Sequence, residues 1–188
     1  MAEFEFQTIN SFNQVPINLT NTLIICDIDD TLLYFPELGP NKYNQIFDYY
    51  FSTSPDLETA IDKTTVCWSN LFGSTLPTHT DINGFKTLLQ KLHLYNGGLC
   101  FLTARPSHES NIEFTRKNFR SLQLNYDEFK VYYSYTIPKG EYIKSNIDLR
   151  SYTNIIFIDD MDYNLVNVKS IFGNRIQCYK FVHGFHDD

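Results

Sequence analysis

The stretch Leu23-Ile24-Ile25-Cys26-Asp27-Ile28-Asp29-Asp30-Thr31 decides the fold. Its first four residues are apolar, which is typical of a strand covered on both faces in a parallel sheet. Aspartates follow at once, at the strand end where open α/β sheets bind ligands. In extended backbone Asp27 and Asp29 point to the same side. Two carboxylates this close repel unless a cation lies between them or one of them takes a proton. A hard divalent ion with oxygen ligands satisfies the pair, so the stretch predicts a divalent site, with Mg²⁺ as the ion.

Four more apolar runs are predicted as strands: residues 99–102, 130–134, 154–158 and 175–181. Helical patterns lie between them at residues 81–94, 107–122, 141–149 and 162–172, with Ser107 as an N-cap and Gly173 as a C-cap. Strands that alternate with helices predict an α/β fold. We expect a Rossmann-like three-layer sandwich around a parallel five-stranded sheet.

One interval interrupts this alternation. About 50 residues separate the first strand from the helix at 81–94, which is too long for a loop inside a compact domain. Helical patterns at residues 41–51 and 56–72 predict a small helical cap, inserted over residues 36–80. We expect residues 1–188 to form one domain with this insert, and residues 1–20 to form an N-terminal arm or an edge strand.

Phosphate-binding side chains follow the second and third predicted strands. Thr103 offers a hydroxyl and a backbone N–H at a strand-to-helix turn, and Arg105 can contact a phosphate through two N–H groups. Lys139 stands at a helix start, where an ammonium can neutralise a phosphoryl group. Lys144 is a rival for the same role.

A second group of acids follows the fourth predicted strand. Asp159, Asp160 and Asp162 lie within four residues. An N-cap role at the following helix accounts for one of them. Because carboxyl ends of parallel strands meet at one edge, the others can complete a metal site with Asp27.

In this order the motifs resemble those of the haloacid dehalogenase-like (HAD) superfamily of phosphohydrolases. That superfamily runs D-x-D-x-T, a strand-terminal Thr or Ser, a Lys, and D-D or G-D-x-x-x-D. The resemblance extends from about residue 23 to the end of the chain. The stretches LTARPSHESNIEFTRKNF and FIDDMDYNL look most like an uncharacterised branch of the superfamily, which supplies no known substrate.

The resemblance implies roles for the first motif. Asp27 is the nucleophile that attacks phosphorus and forms an aspartyl-phosphate. Asp29 protonates the leaving oxygen and then activates the water that hydrolyses the intermediate. Family members that cleave carbon–halogen bonds lack an acid at that position, so Asp29 indicates phosphoryl transfer.

The resemblance also implies the metal ligands. The Asp27 carboxylate, the Asp29 backbone carbonyl and the Asp160 carboxylate hold Mg²⁺, while Asp159 and Asn164 support them. Asn164 departs from the commoner acid at its position. Thr103 and Lys139 bind the transferring phosphoryl group and offset its charge.

In this superfamily, an insert after the first motif covers the site and selects the substrate. The candidates for that surface are Tyr34, Phe35, Tyr49, Tyr50 and Trp68, although each could equally serve ordinary packing of the insert. A short cap would leave the site open, which would admit a bulky substrate such as a phosphorylated macromolecule or a nucleotide. A small phosphorylated substrate, such as a nucleotide, is the expected partner.

Composition excludes several classes of function. The net charge of −7 argues against general nucleic-acid or anionic-membrane binding, which needs a positive field. No apolar run approaches the roughly 20 residues of a membrane span. The four cysteines form no close pair, and residues 1–7 are acidic without an apolar run. We therefore expect no zinc site, no disulfides, no secretion signal and a cytoplasmic location.

Three functions fit these patterns. The first is an Mg²⁺-dependent phosphatase that acts on a phosphomonoester. The second is a catalytically idle scaffold that binds a phosphorylated ligand or partner, and the presence of both Asp27 and Asp29 argues against it. The third is a phosphomutase-type phosphoryl transferase, which uses the same residues. The oligomeric state stays open.

Overall fold

The computed structural model describes residues 4–39 and 42–184. Residues 1–3 of the predicted arm, residues 40–41 of the predicted insert and the last four residues lie outside the described part. The chain divides into two compact units. Unit 1 comprises Met1–Leu33, His79–Ala104 and Asp127–Asp188, and unit 2 comprises Tyr34–Thr78 and Arg105–Tyr126.

Eight strands are described. In chain order they are β1 (Gln7–Ile9), β2 (Thr22–Cys26), β3 (Leu33–Tyr34), β4 (Thr78–His79), β5 (Gly98–Thr103), β6 (Lys130–Tyr133), β7 (Asn154–Asp159) and β8 (Gln177–Phe181). Six of them form one sheet in the order β1-β8-β7-β2-β5-β6, and each neighbouring pair is parallel. Strands β3 and β4 form a separate two-stranded sheet.

The predicted α/β class is confirmed, and the main sheet has one strand more than the five predicted. The additional strand is β1, which pairs with β8 at one edge. Its short length and weak apolar pattern explain why the sequence does not separate a strand from an arm there: of its three residues only Ile9 is buried.

Six α-helices are described. They are α1 (Lys42–Thr53), α2 (Leu57–Ser74), α3 (Ile82–Leu94), α4 (Glu109–Ser121), α5 (Lys139–Asn146) and α6 (Asp162–Phe172). Side chains of Asp56 and Asp81 cap α2 and α3 by accepting backbone N–H groups, and α6 ends at Gly173 with φ of 53°.

Helix α4 begins later than predicted. Ser107 is not its N-cap: that position belongs to His108, whose side chain makes no capping hydrogen bond. The backbone is still extended at His108, and Glu109 places a negative charge in the first turn, where the helix dipole favours it.

Unit 1 has three layers. On one face of the sheet, Ile25 and Phe157 pack in a core with Ile143 of α5 and Leu165 of α6. On the other face, the ring of Phe101 lies 6.3 Å from that of Phe85 in α3. Apolar burial on both faces explains the nearly continuous apolar runs of the central strands.

Unit 2 contains α1, α2 and α4. Helix α4, which the sequence places in the alternating core, packs closely on α2. A Cβ on Gly73 would lie 2.8 Å from the ring of Phe114, so the glycine permits this approach. The Phe72 and Phe114 rings meet edge to face at 6.0 Å, which adds a favourable aromatic contact.

Within the described ranges, no helix is both long enough and apolar enough to cross a bilayer. The four cysteines are free, and Cys26, Cys100 and Cys178 are buried.

Candidate active site

The parallel sheet brings four chain segments of unit 1 together at one edge, the one formed by the carboxyl ends of its strands. Strand β2 lies between β5 and β7, and the backbone N–H of Asp27 donates to the carbonyl oxygen of Ile158 at 2.9 Å. Since all strands run the same way, the segments after β2, β5, β6 and β7 meet at their carboxyl ends. This geometry places the first and fourth motifs side by side.

Lys139 occupies the centre of this edge. It is the first residue of α5 and only 2% exposed. Its Nζ donates to Asp27 Oδ1 and, at 2.7 Å, to Asp159 Oδ2. Burial alone would lower the pKa of Lys139, but the charges of Asp159 and Asp27 outweigh burial and hold that pKa above its ordinary value. Lys139 is therefore a fixed cation, whereas its rival Lys144 is exposed.

Asp159 is fully buried and accepts from several donors. Its Oδ1 accepts the backbone N–H of Met161 at 2.9 Å and the Asn164 amide at 3.0 Å. With Lys139 on Oδ2, both oxygens have partners, as a buried carboxylate requires. Asn164, predicted as a supporting residue, thus lies against Asp159 and orients it.

Three carboxylates lie close enough to share one ion. Oxygens of Asp27, Asp159 and Asp160 all lie within 4.8 Å of one another. Thr31 Oγ1 donates to Asp160 Oδ1 at 3.4 Å. Beside the single ammonium of Lys139, the ionised trio leaves two negative charges, which a divalent cation would balance. An all-oxygen donor set of this charge fits Mg²⁺.

Asp27 and Asp160 resist ionisation when no metal ion is present. Burial, more than the charges of Asp159 and Asp29, raises the pKa of Asp27 to about 7, although Lys139 opposes the shift. Burial, together with the charges of Asp27 and Asp159, raises the pKa of Asp160 to about 9. Both pKa values are raised, as expected of buried carboxylates whose negative charges are not fully neutralised.

Asp29 is not one of the three clustered carboxylates. It is half-buried and forms an isolated bridge with Leu33, within a turn closed by hydrogen bonds from Leu32 and Leu33 to Ile28. Its carboxylate does not belong to the cluster found among the described residues.

Thr103 ends β5 and is fully buried. Its carbonyl oxygen accepts the backbone N–H of Ser134 at 2.8 Å and the Ser134 hydroxyl at 3.2 Å. Ser134 therefore joins the segment after β6 to the end of β5. Sequence reasoning assigned no role to Ser134, and a serine directly after a strand is too common to signal one.

Arg105 belongs to unit 2 and is 3% exposed. Its Nη1 donates to Thr115 Oγ1 at 3.0 Å and to Asn118 Oδ1 at 2.9 Å, and its guanidinium lies 4.3 Å from the centre of the Phe72 ring. These contacts brace unit 2 internally. Its predicted contact with phosphate stays a prediction.

Gly140 is a positional requirement that the sequence analysis missed. Its N–H donates to Asn167 Oδ1 at 2.7 Å, and a Cβ there would lie 2.8 Å from Ile171 and 2.9 Å from the Asn167 carbonyl oxygen. Only a glycine lets α5 approach α6 this closely, which sets the position of Lys139 next to it. A glycine directly before the helix predicted at residues 141–149 was the available signal.

The aromatic candidates of the insert differ in exposure. Phe35 is 7% exposed and its ring lies 6.5 Å from that of Phe72, so it packs inside unit 2. Tyr49 is 63% exposed. Tyr34, Tyr50 and Trp68 are half-buried. Tyr49 is therefore the most exposed of the five and the most accessible to a ligand.

The fold of this chain is similar to that of solved HAD domains. The resemblance predicted from the motifs is confirmed at the level of the fold. The HAD domain of effector protein Lem4 from Legionella pneumophila is similar, at 12% identity over 90% of each chain and a TM-score of 0.50. The L. pneumophila effector Ceg4, solved with an N-terminal yeast Hog1p sequence, is similar at 10% identity, with 90% of this chain and 92% of that chain covered and a TM-score of 0.50.

No family model and no curated protein matches this sequence. At these identities the likeness shows the fold alone. The fold and the cluster of three aspartates fit a HAD-like hydrolase.

Proposed function

We propose that this chain is an Mg²⁺-dependent phosphatase that hydrolyses a phosphomonoester through an aspartyl-phosphate on Asp27. One observation carries the proposal: the buried ammonium of Lys139 lies between Asp27 and Asp159, with Asp160 beside them. A scaffold that only binds a phosphorylated ligand needs no buried cation against a carboxylate nucleophile, so the arrangement favours catalysis over the idle alternative.

Asp27 and Asp29 divide the covalent chemistry. An Asp27 oxygen attacks phosphorus and forms an O–P bond while the ester oxygen leaves with a proton from Asp29. In the second step Asp29 takes a proton from water, the water oxygen attacks phosphorus, and the Asp27–phosphorus bond breaks. Inorganic phosphate and both starting carboxyl groups are recovered.

Lys139 supplies the fixed positive charge. Its ammonium lies against the oxygen of Asp27, where the phosphoryl group is bonded during reaction, and Asp159 prevents it from turning away. Preorganised charge of this kind stabilises a transition state without reorganisation. Thr103, at the end of β5, is proposed to contact the other phosphoryl oxygens.

Asp27 and Asp160 would hold Mg²⁺ through their carboxylates, and Asp29 would hold it through its backbone carbonyl. When bound, the ion supplies positive charge that offsets repulsion between the aspartates and the phosphoryl oxygens. Asp159, already engaged by Lys139, Met161 and Asn164, then serves to position the lysine.

The test is hydrolysis of a panel of small phosphate esters that includes nucleotides, with Mg²⁺ and with a chelator. Wild-type protein should release phosphate only with the metal, and Asp27→Asn should abolish release. Asp148→Asn, at an exposed aspartate of the same unit, is the matched control and should retain activity. Turnover that survives Asp27→Asn, or its absence on every ester, would contradict the proposal.

Labelled water separates hydrolysis from transfer to another hydroxyl. A phosphatase places ¹⁸O from water into the released phosphate. A phosphomutase-type transferase instead moves the phosphoryl group to an acceptor and leaves little labelled phosphate. Binding of an ester with no turnover by either route would favour the scaffold.

A further inference from the structure

His183 is a buried titratable side chain that the proposed mechanism does not use. It lies two residues beyond β8, whose carboxyl end shares the edge of the sheet with the candidate active site. His183 is only 4% exposed. The backbone N–H of Val182 donates to the carbonyl oxygen of Ile9 at 2.9 Å, which fixes this segment against β1.

The imidazole faces the first motif. His183 Nε2 lies 3.6 Å from Asp30 Oδ1, which is within ion-pair range and longer than a hydrogen bond. The Asp30 side chain is 48% exposed and follows Asp29 directly. Burial and the charges of Asp27 and Asp159 raise the pKa of Asp160, and the charge of Asp30 adds to that shift, so Asp30 lies within electrostatic reach of the cluster.

Asp30 also shapes the turn that carries Asp29. Its φ of 57° is in the left-handed region, which aspartate tolerates better than most residues. Its backbone N–H donates to the carbonyl oxygen of Leu33 at 2.7 Å. A contact to the side chain of Asp30 therefore acts on a turn one peptide away from the proposed acid and base.

We propose that His183 is a positioning residue for this site and acts through Asp30. It holds the Asp30 carboxylate toward the segment after β8. Asp30 then does not compete with Asp160 for the divalent cation, and Asp29 keeps its orientation. The role in turnover rests on the proposed function, whereas the role in metal binding does not.

The test combines His183→Ala, Asp30→Asn and the double variant. Mg²⁺ affinity is measured by calorimetry on the metal-free protein, and kcat and KM are measured on the best ester. Loss of a residue that orients metal ligands costs about 10-fold or more, so we expect His183→Ala to weaken Mg²⁺ binding and lower kcat by about that factor. KM should stay within about two-fold, because the residue touches no substrate.

The double variant separates positioning from packing. If His183 acts through Asp30, His183→Ala has no further effect in the Asp30→Asn background. His183→Gln, which keeps an N–H donor, should restore most of the affinity. His93→Ala, at an exposed histidine of α3, is the control. Equal losses in both backgrounds, or unchanged affinity in folded His183→Ala, would overturn the proposal.

A replacement variant and measurements on the wild-type protein distinguish failure of the His183 proposal from failure of the proposed phosphatase. If His183→Ala does not fold, His183→Asn, which is too short to reach Asp30, replaces it in the same comparison. Wild-type protein that binds Mg²⁺ but hydrolyses no ester would refute the phosphatase while calorimetry still decides the role of His183. Wild-type protein that binds no Mg²⁺ would overturn the role of His183.

Discussion

The two units each bury a cation, and they surround it differently. In unit 1, Lys139 is held by the carboxylates of Asp27 and Asp159. In unit 2, Arg105 donates to the neutral side chains of Thr115 and Asn118 and lies over the ring of Phe72. Lys139 thus lies among ionisable carboxylates that can bind a ligand. Arg105 instead contacts neutral side chains, and these contacts stabilise unit 2. Burial of a charge by itself does not mark a catalytic residue, but the chemistry of its partners does.

The largest effect should come from Lys139→Met. It leaves Asp27 and Asp159 buried without their ammonium, and breaking a buried ion pair costs about 3–5 kcal/mol in the free energy of unfolding. Phosphatase activity should fall by about 10²-fold or more, because a preorganised charge is lost. Chemical denaturation and initial rates measure the two losses.

Lys144→Met, in the same helix, is the control for that variant. Lys144 is exposed, so its unfolding free energy should stay within about 0.5 kcal/mol of wild type. Wild-type activity in Lys139→Met would remove the basis for the distinction between the two buried cations.

Arg105→Met should act mainly on stability. It leaves the buried Asn118 Oδ1 and Thr115 Oγ1 without their donor, which costs about 1–3 kcal/mol. Thermal unfolding of this variant is compared with that of Arg116→Met, an exposed arginine of α4. KM for the ester should stay near the wild-type value; a marked rise would show that Arg105 also binds phosphate, as its sequence position predicts.

Gly140→Ala tests what places Lys139. The added Cβ would lie 2.9 Å from the carbonyl oxygen of Asn167, so α5 must shift away from α6. Such overpacking costs about 1–3 kcal/mol, and a displaced Lys139 should lower kcat. Ser145→Ala, at an exposed position of α5, should change neither quantity. Loss of stability with full activity would mean that Lys139 tolerates movement of its helix.

The last effect is a pH-dependent response to metal. Asp160, with a pKa raised to about 9 from an ordinary 3.8, keeps in the folded state a proton that the unfolded chain releases above about pH 4. Stability of the metal-free protein should therefore fall as pH rises through that window, and Asp27 adds to the fall up to about pH 7.

Mg²⁺ reverses this loss by binding the ionised carboxylates, so its stabilising shift of Tm should be larger at pH 8 than at pH 6. Differential scanning calorimetry at several pH values gives the pH dependence of Tm for the metal-free and for the Mg²⁺-saturated protein. Asp160→Asn should flatten the dependence. A shift that shrinks with rising pH would contradict the assignment of Asp160 as a ligand.

Sequence patterns predicted the parts of the fold that depend on local chemistry. Strands β2, β5 and β7 are buried on both faces, so their apolar runs were evident. Helix α6 has the predicted bounds because an acid-rich start and Gly173 mark its ends. Helix α5 was predicted at residues 141–149 but spans Lys139–Asn146, since the apolar Ile147 and Leu149 continue the pattern beyond the helix end.

The remaining features depend on tertiary packing. The sequence ranked Asp160 as a ligand and Asp159 as support, and the structure has both in one cluster. It did not show that Asp159 orients Lys139, because that contact exists only where α5 lies close to α6 across Gly140. Likewise, α4 follows the core alternation in sequence, yet close packing at Gly73 assigns it to unit 2.

The pairing of β1 with β8 has a consequence for the order of folding. It joins Ile9 to Phe181, near the two ends of the described chain, while β2 can pair with β5 as soon as the first hundred or so residues exist. Contacts so distant in sequence form late, because a long loop must close first. During synthesis on a ribosome, β1 would wait unpaired until β8 emerged, so the sheet would grow outward from β2 and close its β1 edge last.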